Sequence, residues 1–216
     1  MRGGPMLEHL HWLGHDSFRI DGSVTVYIDP WKLPAGQPAA GLILVTHDHF
    51  DHLSLPDIEM IAGPDTVVVG PASVTAQVAD PATVTVAPGE GVEVAGAAIL
   101  AVPAYNTDKF RAPGQPYHPR ESGGVGFVVA LDGVRYYHAG DTDVVPEMSD
   151  VHCEVALLPV GGKFTMTWEE AAEACELIDT EAAVPMHYGE VIGDIRDAER
   201  FRDHCRVPVT ILPLER

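Results

Sequence analysis

Short apolar runs rich in Val, Ile and Tyr alternate with turns of Gly, Pro and Asp along most of the chain, a pattern typical of β-strands. The runs predict strands at 7–13, 17–20, 24–28, 41–45, 66–69, 84–86, 91–94, 98–102, 126–131, 134–137, 155–158, 182–185 and 209–212. Helical periodicity predicts helices at 56–61, 72–79, 168–178 and 195–204. The helix at 168–178 is the best defined, because Thr167 and Glu170 have the spacing of a capping box.

Strands mixed with amphipathic helices favour an α/β protein in which two sheets pack face to face with helices outside. The 216 residues, 46% of them hydrophobic, suffice for one well-filled core but are few for two, which predicts a single domain over 1–216.

No apolar stretch approaches the length that crosses a bilayer, and the first residues carry no hydrophobic signal segment. A cytoplasmic protein is therefore expected.

The formal net charge is −19, from 32 acidic against 13 basic side chains. So acidic a chain argues against nucleic-acid binding, which needs a basic face, and no basic amphipathic helix suggests a membrane surface. A small-molecule substrate is the expected partner, and assembly into a homo-oligomer stays open.

The chain has an odd number of cysteines at wide spacing, namely Cys153, Cys175 and Cys205. This spacing predicts neither a disulfide framework nor a Cys-x-x-Cys metal site.

The run at 46–52, Thr-His-Asp-His-Phe-Asp-His, directly follows the apolar run at 42–45. A strand that ends in such a cluster directs several ligand-type side chains to one point on the rim of a sheet. His47 and His49, two residues apart, can face one ion, whereas Asp51 and His52 turn towards a second point. Imidazole with carboxylate is a common donor set for zinc, iron and nickel. The run therefore predicts a metal site.

The segment 103–124 has four prolines, three glycines and no apolar periodicity. Loops of this length in a compact domain are usually functional or disordered. The segment carries Lys109, Arg111 and Arg120 against Asp108 and Glu121, so it is slightly positive in a very acidic protein. It is interpreted as a lid or wall of the active site.

The spacing His-x-His-x-Asp-His after a buried strand resembles the signature of the metallo-β-lactamase superfamily. Further segments are similar to motifs of its lactonase-like branch, the metal-dependent hydrolases around L-ascorbate-6-phosphate lactonase; they lie at 14–17, 137–142, 158–161, 164–166 and 184–188. The match runs in order from about residue 7 to about residue 190. The resemblance implies the metallo-β-lactamase-like αββα four-layer sandwich and a metal-dependent hydrolase.

The resemblance also implies a site for two divalent transition metals, with zinc expected first and manganese, iron or nickel as alternatives. By this resemblance, His47 and His49 bind the first ion, and Asp51, His52 and His187 bind the second. A further residue, Asp141, is expected to bridge the two ions, because it follows a strand and a glycine that allows close approach of the backbone. The neighbouring Asp29 is the natural carboxylate to orient a ligating imidazole.

One position departs from the branch, which usually has a histidine after the strand at 98–102. Asn106 stands there instead, and asparagine is a poor zinc ligand. Two replacements are open: His118 reaches the first ion from the long segment, which we favour, or fewer protein groups hold that ion weakly. Asn106, Lys109, Arg111 and Arg120 are expected to face an anionic substrate. Asn106 is also expected to lie near His118 and to form hydrogen bonds there.

The implied reaction is attack of a metal-activated hydroxide on a small ester or lactone, which is expected to be anionic. The catalytic candidates are Asp141, Asp48, His15 and Tyr188, with His15 or Tyr188 as the acid that protonates the leaving group. Two alternatives remain. The same centre suits a phosphodiesterase acting on a small nucleotide or lipid head group, and a non-hydrolytic metal-binding or sensing protein would use the same ligands.

Overall fold

The computed structural model describes residues 4–215. The first six strands form one sheet in sequential order: β1 (Leu10–Gly14), β2 (Ser17–Ile20), β3 (Val26–Ile28), β4 (Ala40–Leu44), β5 (Ala62–Gly70) and β6 (Ala82–Thr85). The pairs β1–β2 and β2–β3 are antiparallel, whereas β3 to β6 run parallel. The carboxyl ends of β3 and β4 therefore meet at the same edge.

The second sheet comprises β7 (Gly91–Val94), β8 (Ala97–Pro103), β11 (Val125–Leu131), β12 (Val134–His138), β13 (His152–Pro159) and β14 (Asp179–Met186). Its order is β14-β13-β12-β11-β8-β7, and β12, β13 and β14 are parallel. Two short strands, β9 (Phe110–Ala112) and β10 (Gln115–Pro116), form a separate antiparallel ribbon. The carboxyl ends of β12 and β14 also share an edge.

The α-helices are α1 (Gly4–Leu7), α2 (Leu55–Ile61), α3 (Ala72–Thr75), α4 (Trp168–Leu177) and α5 (Ile195–His204), with 3-10 helices at Arg120–Ser122 and Pro146–Asp150. None of the helices within residues 4–215 is long and apolar enough to cross a membrane.

Alternation along β4 shows how the layers form. Leu42 and Leu44 are buried in the core between the two sheets, which also contains Phe127 of the second sheet. Ile43, between them, points to the other face and belongs to a second cluster with Ile58 of α2. Because successive side chains of a strand face opposite sides, β4 is covered on both faces. With α4 and α5 contacting β14, the arrangement is the expected αββα sandwich.

The structure differs from the sequence prediction at some element boundaries. The first predicted strand begins at Leu10, since the chain is helical over Gly4–Leu7. The helix predicted at 72–79 is limited to Ala72–Thr75, where no side chain caps its amino end. The strand predicted at 209–212 is reduced to an isolated bridge between Val209 and Ala183. The segment 103–124 is not a structureless loop, because it contains the β9–β10 ribbon and a 3-10 helix.

Candidate metal centre

Asp29 anchors the histidine-rich loop that follows β4. Its carboxylate accepts hydrogen bonds from the backbone N–H of Thr46 at 2.8 Å and from the Thr46 hydroxyl at 2.7 Å. It also accepts one from Nδ1 of His52 at 2.7 Å. Because Nδ1 of His52 donates to a carboxylate, Nε2 is the nitrogen left for a metal. This contact agrees with the orienting role expected of Asp29.

Three imidazoles form the first group of candidate ligands. Nitrogen atoms of His47, His49 and His118 all lie within 4.8 Å of one another, and Nε2 of His118 is 3.2 Å from Nδ1 of His49. His47 and His118 are buried, whereas His49 is exposed. Burial lowers the pKa of His47 well below its ordinary value, which favours the neutral imidazole that binds metals. The segment 103–124 thus brings His118 close to the two histidines of the loop that follows β4.

Asn106 holds His118 in this orientation. Its side-chain oxygen accepts hydrogen bonds from the backbone N–H of His118 at 2.8 Å and from Nδ1 of the same residue at 3.0 Å. Its amide nitrogen donates to Asp143 Oδ1 at 3.1 Å and to the carbonyl of Phe164 at 2.8 Å. Nδ1 of His118 is therefore the donor, and Nε2 faces the other imidazoles.

Asp141 lies between two sets of histidines. Its Oδ2 is 3.1 Å from Nε2 of His118 and 3.3 Å from Nε2 of His187, and its Oδ1 is 3.3 Å from Nε2 of His52. Burial alone would raise the pKa of this carboxyl, but the three imidazoles hold the pKa of Asp141 well below its ordinary value. The residue is thus an anion at the point where the two groups of ligands meet.

Gly140 allows this position of Asp141. Its φ is +64°, and a Cβ atom there would lie only 2.8 Å from the carbonyl oxygen of Val125. A side chain at residue 140 would therefore push β12 and β11 apart and shift the following carboxylate.

A second group of ligand atoms involves the turn between β1 and β2. Atoms of His15, Asp16, His52 and His187 lie within 4.8 Å of one another, and all four side chains are buried. None of the clusters found among residues 4–215 includes Asp51; its Oδ2 is 3.3 Å from Nε2 of His15. Sequence reasoning did not select Asp16, although it directly follows a histidine at the end of a predicted strand.

Three residues of the centre have left-handed backbone conformations: His15 with φ 49°, Asp29 with φ 46° and His187 with φ 57°. Such conformations are unfavourable for residues with a side chain and often occur at functional sites. The backbone N–H of His187 donates to the carbonyl of His15 at 3.2 Å. These turns direct side chains from both sheets towards one volume.

The donor set fits a metal ion. Several buried polar atoms have no hydrogen-bond partner among the described residues: Nε2 of His47 and His52, both nitrogens of His15, Oδ1 of Asp141, and both carboxylate oxygens of Asp16. Unsatisfied buried polar atoms are costly. Imidazole nitrogens and carboxylate oxygens directed at shared points are the ligands of first-row transition metals. The cluster is therefore compatible with a metal site.

His138, three residues before Asp141, has a structural role and is not a candidate ligand. The backbone N–H of Gly140 donates to its Nδ1 at 3.2 Å, so the proton is on Nε2, which donates to the carbonyl of Asp16 at 2.9 Å. His138 thus links β12 to the β1–β2 turn and is not free to bind a ligand.

Two adjoining cavities open onto the centre. One, called the polar cavity below, has a volume of about 230 Å³, and its wall includes the polar side chains of Arg111, Ser73 and Ser122 beside apolar ones. The other has about 240 Å³ and a more apolar wall with Phe50 and Phe164. His49, His118, Asp141 and Tyr117 line both. Sequence reasoning did not identify Tyr117 or the apolar wall, because only the tertiary structure brings these segments together.

The substrate contacts expected of Lys109, Arg120 and Asn106 are not what the structure presents. Lys109 Nζ is 2.7 Å from a carboxylate oxygen of Glu170 and 2.5 Å from Asp108. Arg120 is 2.6 Å from Glu147. The amide of Asn106 is engaged by protein partners on both of its polar atoms. The sequence could not show these pairings, since every partner except Asp108 lies far away in the chain.

The other catalytic candidates differ in their access to the centre. Asp48 lines the polar cavity and accepts a hydrogen bond from Gln77 at 3.4 Å. His15 and Tyr188 line neither cavity. Tyr188 stacks on Trp12 with ring centroids 5.0 Å apart, and burial raises its pKa to about 12. The geometry therefore does not support His15 or Tyr188 as the acid that reaches a leaving group.

Comparisons with known proteins agree with this architecture. Residues 9–187 match the model of the beta-lactamase superfamily domain. The chain is 34% identical over 201 residues to a UPF0173 metal-dependent hydrolase of Methanoregula boonei, covering 90% of this chain and 88% of that protein. It is 36% identical over 210 residues to a UPF0173 metal-dependent hydrolase of Methanopyrus kandleri, with 88% of each covered.

A crystal structure of a protein from Parabacteroides distasonis superposes with a TM-score of 0.83 at 29% identity, covering 95% of this chain and 93% of that one. The similarity thus spans both sheets and the loops that carry the candidate ligands. The chain belongs to the β-lactamase superfamily and, within it, to the family of the UPF0173 metal-dependent hydrolases.

Proposed function

We propose that this protein hydrolyses a small ester or lactone that carries an anionic group, using two divalent transition-metal ions, with zinc as the first expectation. The proposal rests on one observation, the position of Asp141. Its buried carboxylate lies 3.1 to 3.3 Å from His118, His52 and His187, beside two small cavities.

The ligands divide between two positions. The first ion is assigned to His47, His49 and His118, whose nitrogens lie together. The second ion is assigned to His52 and His187 with Asp51. Asp141 would serve both, because its carboxylate lies close to His118 of the first group and to His52 and His187 of the second.

Ions held in this way would supply Lewis-acid polarisation of a carbonyl oxygen and a lowered pKa for water. The chain's own residues prepare the site for that chemistry. Asp29 and Asn106 fix the orientation of one imidazole each. Asp48, exposed at the wall of the polar cavity, is assigned the exchange of protons with solvent. Asp141 itself is buried, so solvent screens its charge less than it would on an open surface.

The two cavities support a small substrate with one apolar and one charged part. Their volumes of about 230 and 240 Å³ are below the usual range for drug-sized ligands. The apolar cavity has Phe50, Phe164 and Val191 in its wall. The polar cavity has Arg111, whose guanidinium donates to the carbonyl of Tyr117 at 3.1 Å. A carboxylate or phosphate on the substrate would complete the hydrogen bonding of that arginine.

Turnover by the metal-loaded protein tests the proposal. The purified protein is assayed, after metal analysis, with matched neutral and carboxylated esters, with lactones, and with phosphodiesters. We expect hydrolysis of a carboxylated ester or lactone. The variant Asp141→Asn preserves shape but removes the charge between the ions, so its activity should fall by orders of magnitude while its circular dichroism spectrum is retained.

Two results would replace the proposal. Faster cleavage of phosphodiesters than of any ester would identify a phosphodiesterase. Full metal loading without turnover of any compound in the panel would indicate a metal-binding or sensing protein. Full activity of Asp141→Asn would show that this carboxylate does not serve the reaction.

A further inference from the structure

Asp16 occupies an unusual environment for an aspartate. It lies in the turn between β1 and β2, its exposed fraction is 0%, and neither carboxylate oxygen has a hydrogen-bond partner among residues 4–215. The turn is held in place, because Gly14 and His15 have positive φ values and the Asp16 carbonyl accepts a hydrogen bond from His138. The carboxylate is thus fixed in the interior, where an unpartnered anion is strongly unfavourable.

The surroundings of this carboxylate have the spacing of a metal site. Its Oδ2 lies 3.5 Å from Nε2 of His15, 3.5 Å from Nε2 of His52 and 3.7 Å from Nε2 of His187. These separations exceed those of ordinary hydrogen bonds. They are close to the roughly 3.0–3.6 Å that separates neighbouring ligands when each is 2.0–2.2 Å from one ion. A cation at this point would satisfy Asp16 and the imidazoles together.

We propose that Asp16 is a direct ligand of the ion at the second position, in addition to the residues assigned there on sequence grounds. The inference rests on the metal centre of the proposed function but not on its substrate. Together with Asp51 and Asp141, Asp16 would bring three carboxylates to an ion that His52 and His187 also hold. A position with three carboxylates accepts hard ions such as manganese more readily than one that shares a single carboxylate. The first position, built from His47, His49 and His118, has no such carboxylate of its own.

Metal titration of the full-length protein tests this role directly. The metal-free wild type and the variants Asp16→Asn and Asp16→Ser are titrated with Zn²⁺ and with Mn²⁺ by calorimetry, and bound metal is counted by mass spectrometry. Asp132→Asn is the matched control, since Asp132 is exposed and accepts a hydrogen bond from the backbone of Ser23.

We expect the wild type and the control to bind two ions. Both Asp16 variants should bind one ion as the wild type does and the other more than about 100-fold more weakly, beyond the range found when only the partner of a ligand is removed. The thermal midpoint of each metal-free variant should be no lower than that of the metal-free wild type, because the carboxyl oxygens of Asp16 have no hydrogen bond within residues 4–215 to lose. The rise in midpoint on adding metal should be smaller than in the wild type.

Unchanged affinity for both ions in the two Asp16 variants would overturn the proposal. So would lower midpoints of the metal-free variants with metal affinity unchanged, since that result identifies a structural residue. This outcome is independent of the proposed reaction. If the Asp16 variants lose one of the two ions but the wild type hydrolyses no ester, Asp16 remains a ligand and the proposed hydrolysis is wrong.

Discussion

His118 shows how a single hydrogen-bond acceptor can prepare a candidate ligand. The side-chain oxygen of Asn106 accepts from both the backbone N–H and Nδ1 of His118, so the backbone position and the ring orientation are fixed by the same atom. Nε2 is consequently presented to His49 and Asp141. An asparagine that cannot itself bind zinc well thus supports a histidine that can.

Replacing Asn106 should therefore weaken metal binding without removing a ligand. We expect Asn106→Ala to reduce affinity for the first ion by about 10- to 100-fold, the range found when the partner of a ligating histidine is removed. His118→Ala should abolish that binding event. Competition with a chromophoric chelator measures both, and Gln115→Ala, an exposed position of the same segment, is the control. Equal affinities for Asn106→Ala and wild type would contradict the positioning role.

Arg111 is the basic residue of the long segment that lines a cavity of the centre. Its contacts in the described structure are to the carbonyl and ring of Tyr117, whereas Lys109 and Arg120 are close to carboxylates. We expect Arg111→Gln to raise KM for 4-nitrophenyl hydrogen succinate about tenfold, equivalent to losing about 1.4 kcal/mol from one charged hydrogen bond. KM for the neutral 4-nitrophenyl butyrate should not change.

Arg120→Gln provides the matched comparison, because it removes an equal charge from the same segment at a position paired with Glu147. It should leave both KM values as in the wild type, and Arg111→Lys should recover part of the loss. Equal effects of Arg111→Gln on the two esters would exclude recognition of the substrate's charge.

At the scale of elements, the amino end of α4 contacts the segment 103–124 through Glu170 and Lys109. Thr167 and Glu170 form the reciprocal hydrogen bonds of a capping box, as the sequence predicts. The same Glu170 carboxylate contacts Lys109 Nζ at 2.7 and 2.9 Å. Lys109 therefore has a role in holding the segment that carries His118, which explains why it is not available to a substrate.

Loss of this cap should destabilise the protein measurably. Thr167→Ala should cost about 1 kcal/mol, typical of an N-cap hydroxyl, and lower Tm by about 2–4 °C for a chain of this size. Differential scanning calorimetry measures the change. Glu173→Ala, exposed on the same helix, should shift Tm much less. A Tm for Thr167→Ala equal to that of wild type would show that packing against α5 and β14 alone maintains the helix.

At the scale of the whole molecule, the charge of −19 means that repulsion between carboxylates opposes folding. At 0.1 M, salt largely screens the repulsion between exposed charges that are more than about 10 Å apart. We expect Tm to rise between 10 mM and 500 mM NaCl, because acidic groups outnumber basic ones by 32 to 13. An equal rise with KCl would identify general screening. A fall in Tm would show that ion pairs such as Lys109–Glu170 contribute more than the excess charge.

The sequence determined the fold class and the positions of most elements. Alternation in β4 requires two covered faces, and capping residues define the start of α4. The family resemblance and the meeting of parallel strand ends also predicted candidate ligands. The structure groups five of them, namely His47, His49, His52, Asp141 and His187, whereas Asp51 is in none of the clusters among the described residues. These features depend on local periodicity and on motif order, which are readable without coordinates.

Only the tertiary structure decided which distant residues complete the centre. Asp16 lies in the motif at 14–17, where nothing in the sequence indicated a role for its carboxylate, and its burial beside His52 and His187 depends on how the two sheets pack. The roles of Lys109, Arg111 and Arg120 could not be separated from composition, because their partners lie elsewhere in the chain. The physical reason is common to all: a charge acts through its neighbours in space, and long-range packing determines those neighbours.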